Sequence, residues 1–239
     1  MSFIDYIARV SDRNGDNENN GKNIPVLIGH NAAVFDIPIL LRTSSPAFLQ
    51  ALKKLNVHFA DSLILAKQIL KEQHPALRVV PSEQFCRASL GSLYSTLFDQ
   101  SFPAHDALED VKALQRVLFQ SKLALTEEML VSKSNVVSCE SAFAHLQIHD
   151  RCYVRLQTFS GNLYDPVNDK GIIKKAMANK IAGSGIAYQD LHGLFRQAGR
   201  KGVIAILSMP PSTVRSTKPR ITRNRRILNA ICSFFTTLV

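Results

Sequence analysis

Two segments hold the side chains whose types and spacing could do chemistry. The first runs Leu27-Ile-Gly-His-Asn-Ala-Ala-Val-Phe-Asp-Ile-Pro-Ile-Leu40 and carries His30, Asn31 and Asp36. The second is His105-Asp-Ala-Leu-Glu-Asp110, where a loop-borne histidine can sit near an aspartate on the first turns of a helix. A carboxylate from each segment, with a histidine beside one of them, suits metal-assisted phosphodiester hydrolysis. Hard oxygen ligands such as Asp36 and Asp110 hold Mg²⁺ or Mn²⁺. Two such ions about 4 Å apart stabilise the attacking and leaving oxygens. A histidine of near-neutral pKa, His105, can deprotonate the attacking water. Each residue also has a plainer reading. Asp36 fits as an acid at a helix N-terminus, favoured by the dipole; Asp110 fits as an exposed helix acid, and His105 as an ordinary loop histidine.

Those residues need a strand and several helices to position them. Ile24–Asn31 is a short continuous apolar run ending in Gly-His-Asn, which predicts a buried strand. Phe3–Val10, Phe35–Arg42 and Pro46–Leu55 read as helices, the last capped by Ser44 or Ser45. Val57–Ala60 predicts a short strand leading to Asp61, and Asp61 caps the helix over 62–70. Ser89–Phe98 and Ala107–Leu123 are further helices, the second with apolar residues at 107, 108, 111, 114, 117 and 118. Residues 126–170 are mixed. Beyond Gly171, Ile172–Ala182 and Tyr188–Ala198 predict helices, Gly199–Gly202 a tight turn, and Val203–Leu207 an apolar run stopped by Pro210 and Pro211. A basic linker, 212–220, leads to a last helix over Arg223–Leu238.

The motifs resemble those of the DEDDh 3′–5′ exonucleases, a ribonuclease-H-like family, over residues 3 to 122. The second motif of that family is similar to His30-Asn31-Ala-Ala-Val-Phe35-Asp36, and its third, His-x-Ala-x-x-Asp, to His105 through Asp110. The resemblance implies Asp110 as a direct metal ligand, Asp36 as a ligand through its shell or a water, and His105 as general base. His30 and Asn31 would shape the turn and contact substrate. It implies an α/β fold: a ribonuclease-H-like exonuclease domain, N-terminally truncated, with a small basic α-helical C-terminal extension. The corresponding domains are 1–124, a connecting region 125–170, and 171–239.

The family's first motif, Asp-x-Glu on the opening strand, is missing. Asp16-Asn-Glu18 lies in a polar loop without apolar flanks and is a poor substitute. The expectation is a fragment of a longer product or a degenerate member, inactive or weak as an exonuclease. The alternative is a non-catalytic nuclear nucleic-acid-binding or scaffold protein. A more distant resemblance takes in the tail: an exonuclease-like region followed by a basic helical unit is similar to the C-terminal part of the long promyelocytic leukaemia protein isoform and its relatives. That implies an intracellular, nuclear protein.

Charge supports a polyanionic partner. Residues 171–239 carry 12 Lys and Arg against one acid, Asp190, whereas the first 170 carry 17 basic and 18 acidic residues. Such a tail is the footprint of nucleic acid or an anionic surface, or else a solubilising or localisation segment. Lys174, Lys175, Arg200 and Lys201 are candidate phosphate contacts, as are Arg215, Lys218 and Arg220. Without aromatic interleaving they would bind DNA or RNA irrespective of sequence. The final helix, apolar at 227, 228, 231, 234, 235 and 238, would dock on the body, on a protein partner, or on a membrane surface. No apolar run approaches the roughly 20 residues of a membrane span. Cys139, His145, His149 and Cys152 have a spacing that could hold Zn²⁺, but the segment around them also reads as an amphipathic helix. At 46% hydrophobic and 20% charged residues, the composition excludes collagen, a disordered tail and a bare coiled coil.

Overall fold

The apolar run before Gly-His-Asn forms a strand, and polar side chains at the element boundaries start most of the helices. The structure is a computed structural model that describes residues 2–12, 23–80, 82–167, 171–210 and 218–238. In chain order the elements are α1 (Phe3–Asp12), β1 (Val26–Gly29), α2 (Asp36–Thr43), α3 (Pro46–Lys54), β2 (His58–Asp61), α4 (Ser62–Lys71) and α5 (Leu90–Phe98). They continue with α6 (Ala107–Phe119), α7 (Glu127–Lys133), β3 (Val137–Ser138), α8 (Cys139–Phe159), α9 (Lys175–Gly183), α10 (Tyr188–Ser208) and α11 (Arg225–Thr236). Asp16, Glu18 and Arg215 lie outside the described residues.

Capping is local and legible. Ser45 accepts the Phe48 N–H at the start of α3, with Pro46 at the first helical position. Asp106 accepts the Leu108 and Glu109 N–H groups before α6, Thr126 the Met129 N–H before α7, and Asn224 the Arg226 and Ile227 N–H groups before α11. The helix expected over Ala107–Leu123 stops at Phe119, and Leu123 turns into the core instead, 5% exposed.

The expected ribonuclease-H-like α/β exonuclease fold is not what forms. The described chain is mostly helical, and its sheet has three strands of only four, four and two residues. β1 runs parallel to β2, with Val26 opposite His58 and Gly29 opposite Asp61, and β3 is antiparallel to β2. So small a sheet cannot supply the central layer of an α/β sandwich, because few residues point to either face. The buried mass is instead helix against helix.

The chain divides into two compact units, Met1–Ala144 and His145–Val239. In the first, one core gathers Leu65, Ala66 and Ile69 of α4, Leu93, Tyr94 and Leu97 of α5, and Ala113, Leu114, Val117 and Leu118 of α6. The Arg116 guanidinium bonds the Tyr94 hydroxyl and lies 4.4 Å from the Phe98 ring centre. In the second unit Phe159, Leu191, Val203, Leu207, Ile231 and Phe235 form a separate core. The apolar face of α11 enters it through Leu228, Ile231, Cys232 and Phe235.

Two glycines are needed where they stand. At the tight turn expected over Gly199–Gly202 the chain kinks at Gly199 (φ 59°, ψ −156°), which separates two helical segments within α10, in a backbone region essentially reserved for glycine. Gly171 packs against backbone: an added Cβ would lie 2.3 Å from the Tyr164 Cα and 2.7 Å from the Leu163 carbonyl oxygen. Among the described residues no helix is long and apolar enough to cross a membrane.

Candidate functional site

The residues of the first motif lie at the C-terminal end of β1. There the chain leaves Gly29, enters a turn through His30 and Asn31, and starts α2 at Asp36. Asn31 takes a left-handed conformation (φ 64°), which asparagine tolerates better than most residues. Asp61, at the end of the neighbouring strand, holds the turn. Its Oδ1 accepts the N–H groups of Asn31 (2.9 Å) and Leu63 (2.9 Å), and its Oδ2 accepts the Ala33 N–H (3.1 Å). Asp61 is buried, at 4% exposure. It caps α4, as its position before that helix predicts, and it also ties the β1 turn to β2. That long-range tie leaves no mark in local sequence.

His30 is turned inward. Its Nδ1 lies 3.0 Å from the buried Ser62 hydroxyl, and burial lowers its pKa below the ordinary histidine value. The charges of Asp61 and Asp110 and a backbone hydrogen bond with Ala88 oppose that shift; Lys67 adds to it. Asp36 sits close under the strand end, since a Cβ on Gly29 would lie 3.3 Å from its Oδ2. Asp110, in the first turn of α6, accepts the backbone N–H of His105 at 3.4 Å. His105 is exposed with φ 74°, so the contact between this histidine and Asp110 runs through its main chain.

The fold therefore joins Asn31 to Asp61 and His30 to the adjacent Ser62 by direct hydrogen bonds, with Asp36 against Gly29 and Asp61 and Asp110 within electrostatic reach of His30. Among the described residues no three His, Cys, Asp or Glu side chains form a group that could hold a metal ion. Asp36, Asp110 and His105, the expected Mg²⁺ or Mn²⁺ ligands and base, are not gathered into such a group in this arrangement. The Zn²⁺ arrangement fails on helix geometry. Cys139 and Cys152 lie on one helix, α8, 13 residues and so about 20 Å apart along its axis. Cys139 is buried while His145 and His149 are exposed.

The basic residues belong to the second unit. Lys174 immediately precedes α9 without a side-chain cap and Lys175 opens it, both exposed. Arg200 and Lys201 follow the break in α10, and the Arg200 guanidinium donates to the Asn229 side-chain oxygen of α11. Arg220 donates to the Ser184 carbonyl at 2.8 Å. The aromatic rings of this unit are engaged with one another: Phe235 has Tyr188, His192, Phe195 and Phe234 within 5.5–5.7 Å between ring centres. None of these five rings is left as a stacking platform.

Fold and site together define a mostly helical protein of two units, the second strongly basic. Residues 164–238, wholly within that second unit, match the family described as PML, C-terminal domain. The matched stretch is the one that the tail's resemblance pointed to, and it leaves the exonuclease-like motifs of residues 30–36 and 105–110 outside. No curated protein and no solved structure matches the chain.

Proposed function

We propose that this chain is a non-catalytic, intracellular protein of the nucleus that binds DNA or RNA through its second unit without reading sequence. One observation carries the reading: the positive charge is segregated, with 12 Lys and Arg against one acid in residues 171–239 and near balance before them. A surface of that sign neutralises phosphates and releases condensed counterions, which supplies affinity without base discrimination. The engaged aromatic cluster argues against base stacking as the binding mode. The match of residues 164–238 to the PML C-terminal domain supports the nuclear assignment.

The test is fluorescence anisotropy of labelled single-stranded and duplex oligonucleotides of unrelated sequence across 50–300 mM salt (an order-of-magnitude window, about that in which such contacts weaken). Similar affinities for all sequences and a steep linear fall of log K with log salt are expected. A salt-independent affinity, or none at all, refutes the reading. Imaging of the tagged chain in cells checks the compartment.

A second reading, phosphodiester hydrolysis assisted by Mg²⁺ or Mn²⁺, is favoured by one observation. The carboxylates of Asp36 and Asp110 both lie around the Gly29–His30 strand end. Metal-dependent shortening of a 3′-labelled oligonucleotide that vanishes in Asp110→Asn would establish it in place of the first. Intact substrate with binding retained would dismiss it.

A further inference from the structure

Between the last turns of α10 and the first turns of α11 the second unit has an open groove of ≈ 360 Å³, lined by Ile204, Ser208, Arg223, Arg225, Leu228 and Asn229. Its construction follows from helix periodicity. Residues 200, 204 and 208 recur every fourth position and share one face of α10, and 225 and 229 do the same on α11. The floor is apolar, from the half-buried Ile204 and the buried Leu228, while Arg223 and Arg225 are exposed at the rim. The Arg200 guanidinium reaches the same place, because it donates to the side-chain oxygen of Asn229. Two guanidinium groups therefore line the groove, a third is bonded to its Asn229, and among the described residues no carboxylate lines it. The Asn224 side chain already accepts the first N–H groups of α11, so the positive character comes from the arginines and not from the helix terminus.

Resting on the nucleic-acid reading above, we propose that this groove seats the sugar–phosphate backbone of a nucleic acid strand. Arg223 and Arg225 take the phosphate oxygens, Asn229 holds Arg200 in place for a further phosphate, and Ile204 and Leu228 lie against sugar carbons. Guanidinium forks suit this task because they bind phosphate oxygens in pairs and keep their charge at every physiological pH. A cationic rim over an apolar floor fits the alternation of charged phosphate and largely apolar sugar edge. It provides no base contact, which is why the binding carries no sequence preference.

The experiment uses the full chain and a 5′-fluorescein 20-nucleotide single strand, read by anisotropy against salt. Arg223→Gln with Arg225→Gln is expected to weaken binding at least about tenfold, two charge-assisted contacts being lost. The log–log salt slope should become shallower by about 1.4, two contacts at about 0.7 each on a single strand. Asn229→Asp places a carboxylate in the groove with almost no change of shape, and is expected to cost as much. Lys174→Gln with Lys175→Gln removes the same charge from α9 and should cost less than about threefold if the groove dominates, most phosphate contacts then being kept. Circular dichroism confirms that each variant is folded. Equal losses from the groove pair and the α9 pair, or no loss from Asn229→Asp, overturn the groove while the general binding reading stands. Absence of binding by the parent chain removes both. Capture by vesicles of phosphatidylcholine with a quarter phosphatidylserine, without oligonucleotide binding, would assign the arginines to lipid headgroups instead.

Discussion

Removing the Asp61 carboxylate tests how the motif turn is held. In Asp61→Ala the Leu63 N–H loses its cap, a change worth about 1 kcal/mol. The Asn31 N–H, partly buried, loses a charged acceptor at 2.9 Å, worth about 1.5–3 kcal/mol. Ala33 is exposed, so water replaces its 3.1 Å bond at little cost. The sum is about 2–4 kcal/mol, near the upper range for a single substitution. At a urea slope of about 2 kcal/mol per molar it moves the midpoint down by about 1–2 M. Asp61→Asn keeps one acceptor oxygen for Asn31 and Leu63, and asparagine caps as well as aspartate. It turns a donor toward Ala33, so its loss should be smaller, about 1 kcal/mol. The assay is urea unfolding followed by far-ultraviolet circular dichroism, with amide exchange at Asn31 and Leu63 as the local readout. A loss below about 0.5 kcal/mol in Asp61→Ala, or unchanged exchange at both amides, would refute the account, since such a loss is typical of an unbonded surface site.

Three further outcomes follow from the same geometry. His30 has its pKa lowered by burial, so the unfolded chain takes up its proton first: stability present above about pH 6.5 should fall as pH drops through that value and level off below the folded pKa. Asp61, Asp110 and Lys67 are the charges acting on it, and His30→Asn should flatten that portion of the urea-midpoint profile from pH 8 to 5. Phe235→Ala removes a fully buried ring at the centre of the aromatic cluster and should cost about 3–5 kcal/mol, read as earlier thermal loss of helix in the second unit. Gly171→Ala pushes a methyl group into the Leu163–Asp165 backbone, which has no rotamer with which to yield; a cost of about 1–3 kcal/mol is expected by urea unfolding.

Capping chemistry, charge segregation and most helix positions were open to reading along the chain, because each depends on residues within one or two turns of one another. Ser45 and Asp61 start helices where their types predict, Asp106 caps α6 without having been singled out along the chain, and the final helix spans Arg225–Thr236, inside the predicted Arg223–Leu238. The basic character of residues 171–239 is a property of composition and needs no fold. Other features depended on which distant segments meet. The ribonuclease-H-like expectation failed because motif residues report local turns, whereas the sheet's size depends on how many strands pair. Among the described residues only β1 and β2 reach four residues. Asp61 shows the same limit at one side chain: its cap is a neighbour interaction, but its bonds to Asn31 and Ala33 span 30 and 28 residues. The kink at Gly199 separates two helical segments of α10, yet Val203 and Leu207 beyond it bury in the same core as Leu191 before it. The arginine-rimmed groove joins residues from two helices, and only their packing brings Arg200 to Asn229. Sequence alone determined most of the helical segments, though not α7 and the full length of α8 in the mixed stretch 126–170, and where the charge lay. Tertiary packing decided which of those segments touch, since burial and long-range hydrogen bonds exist only once the chain has folded.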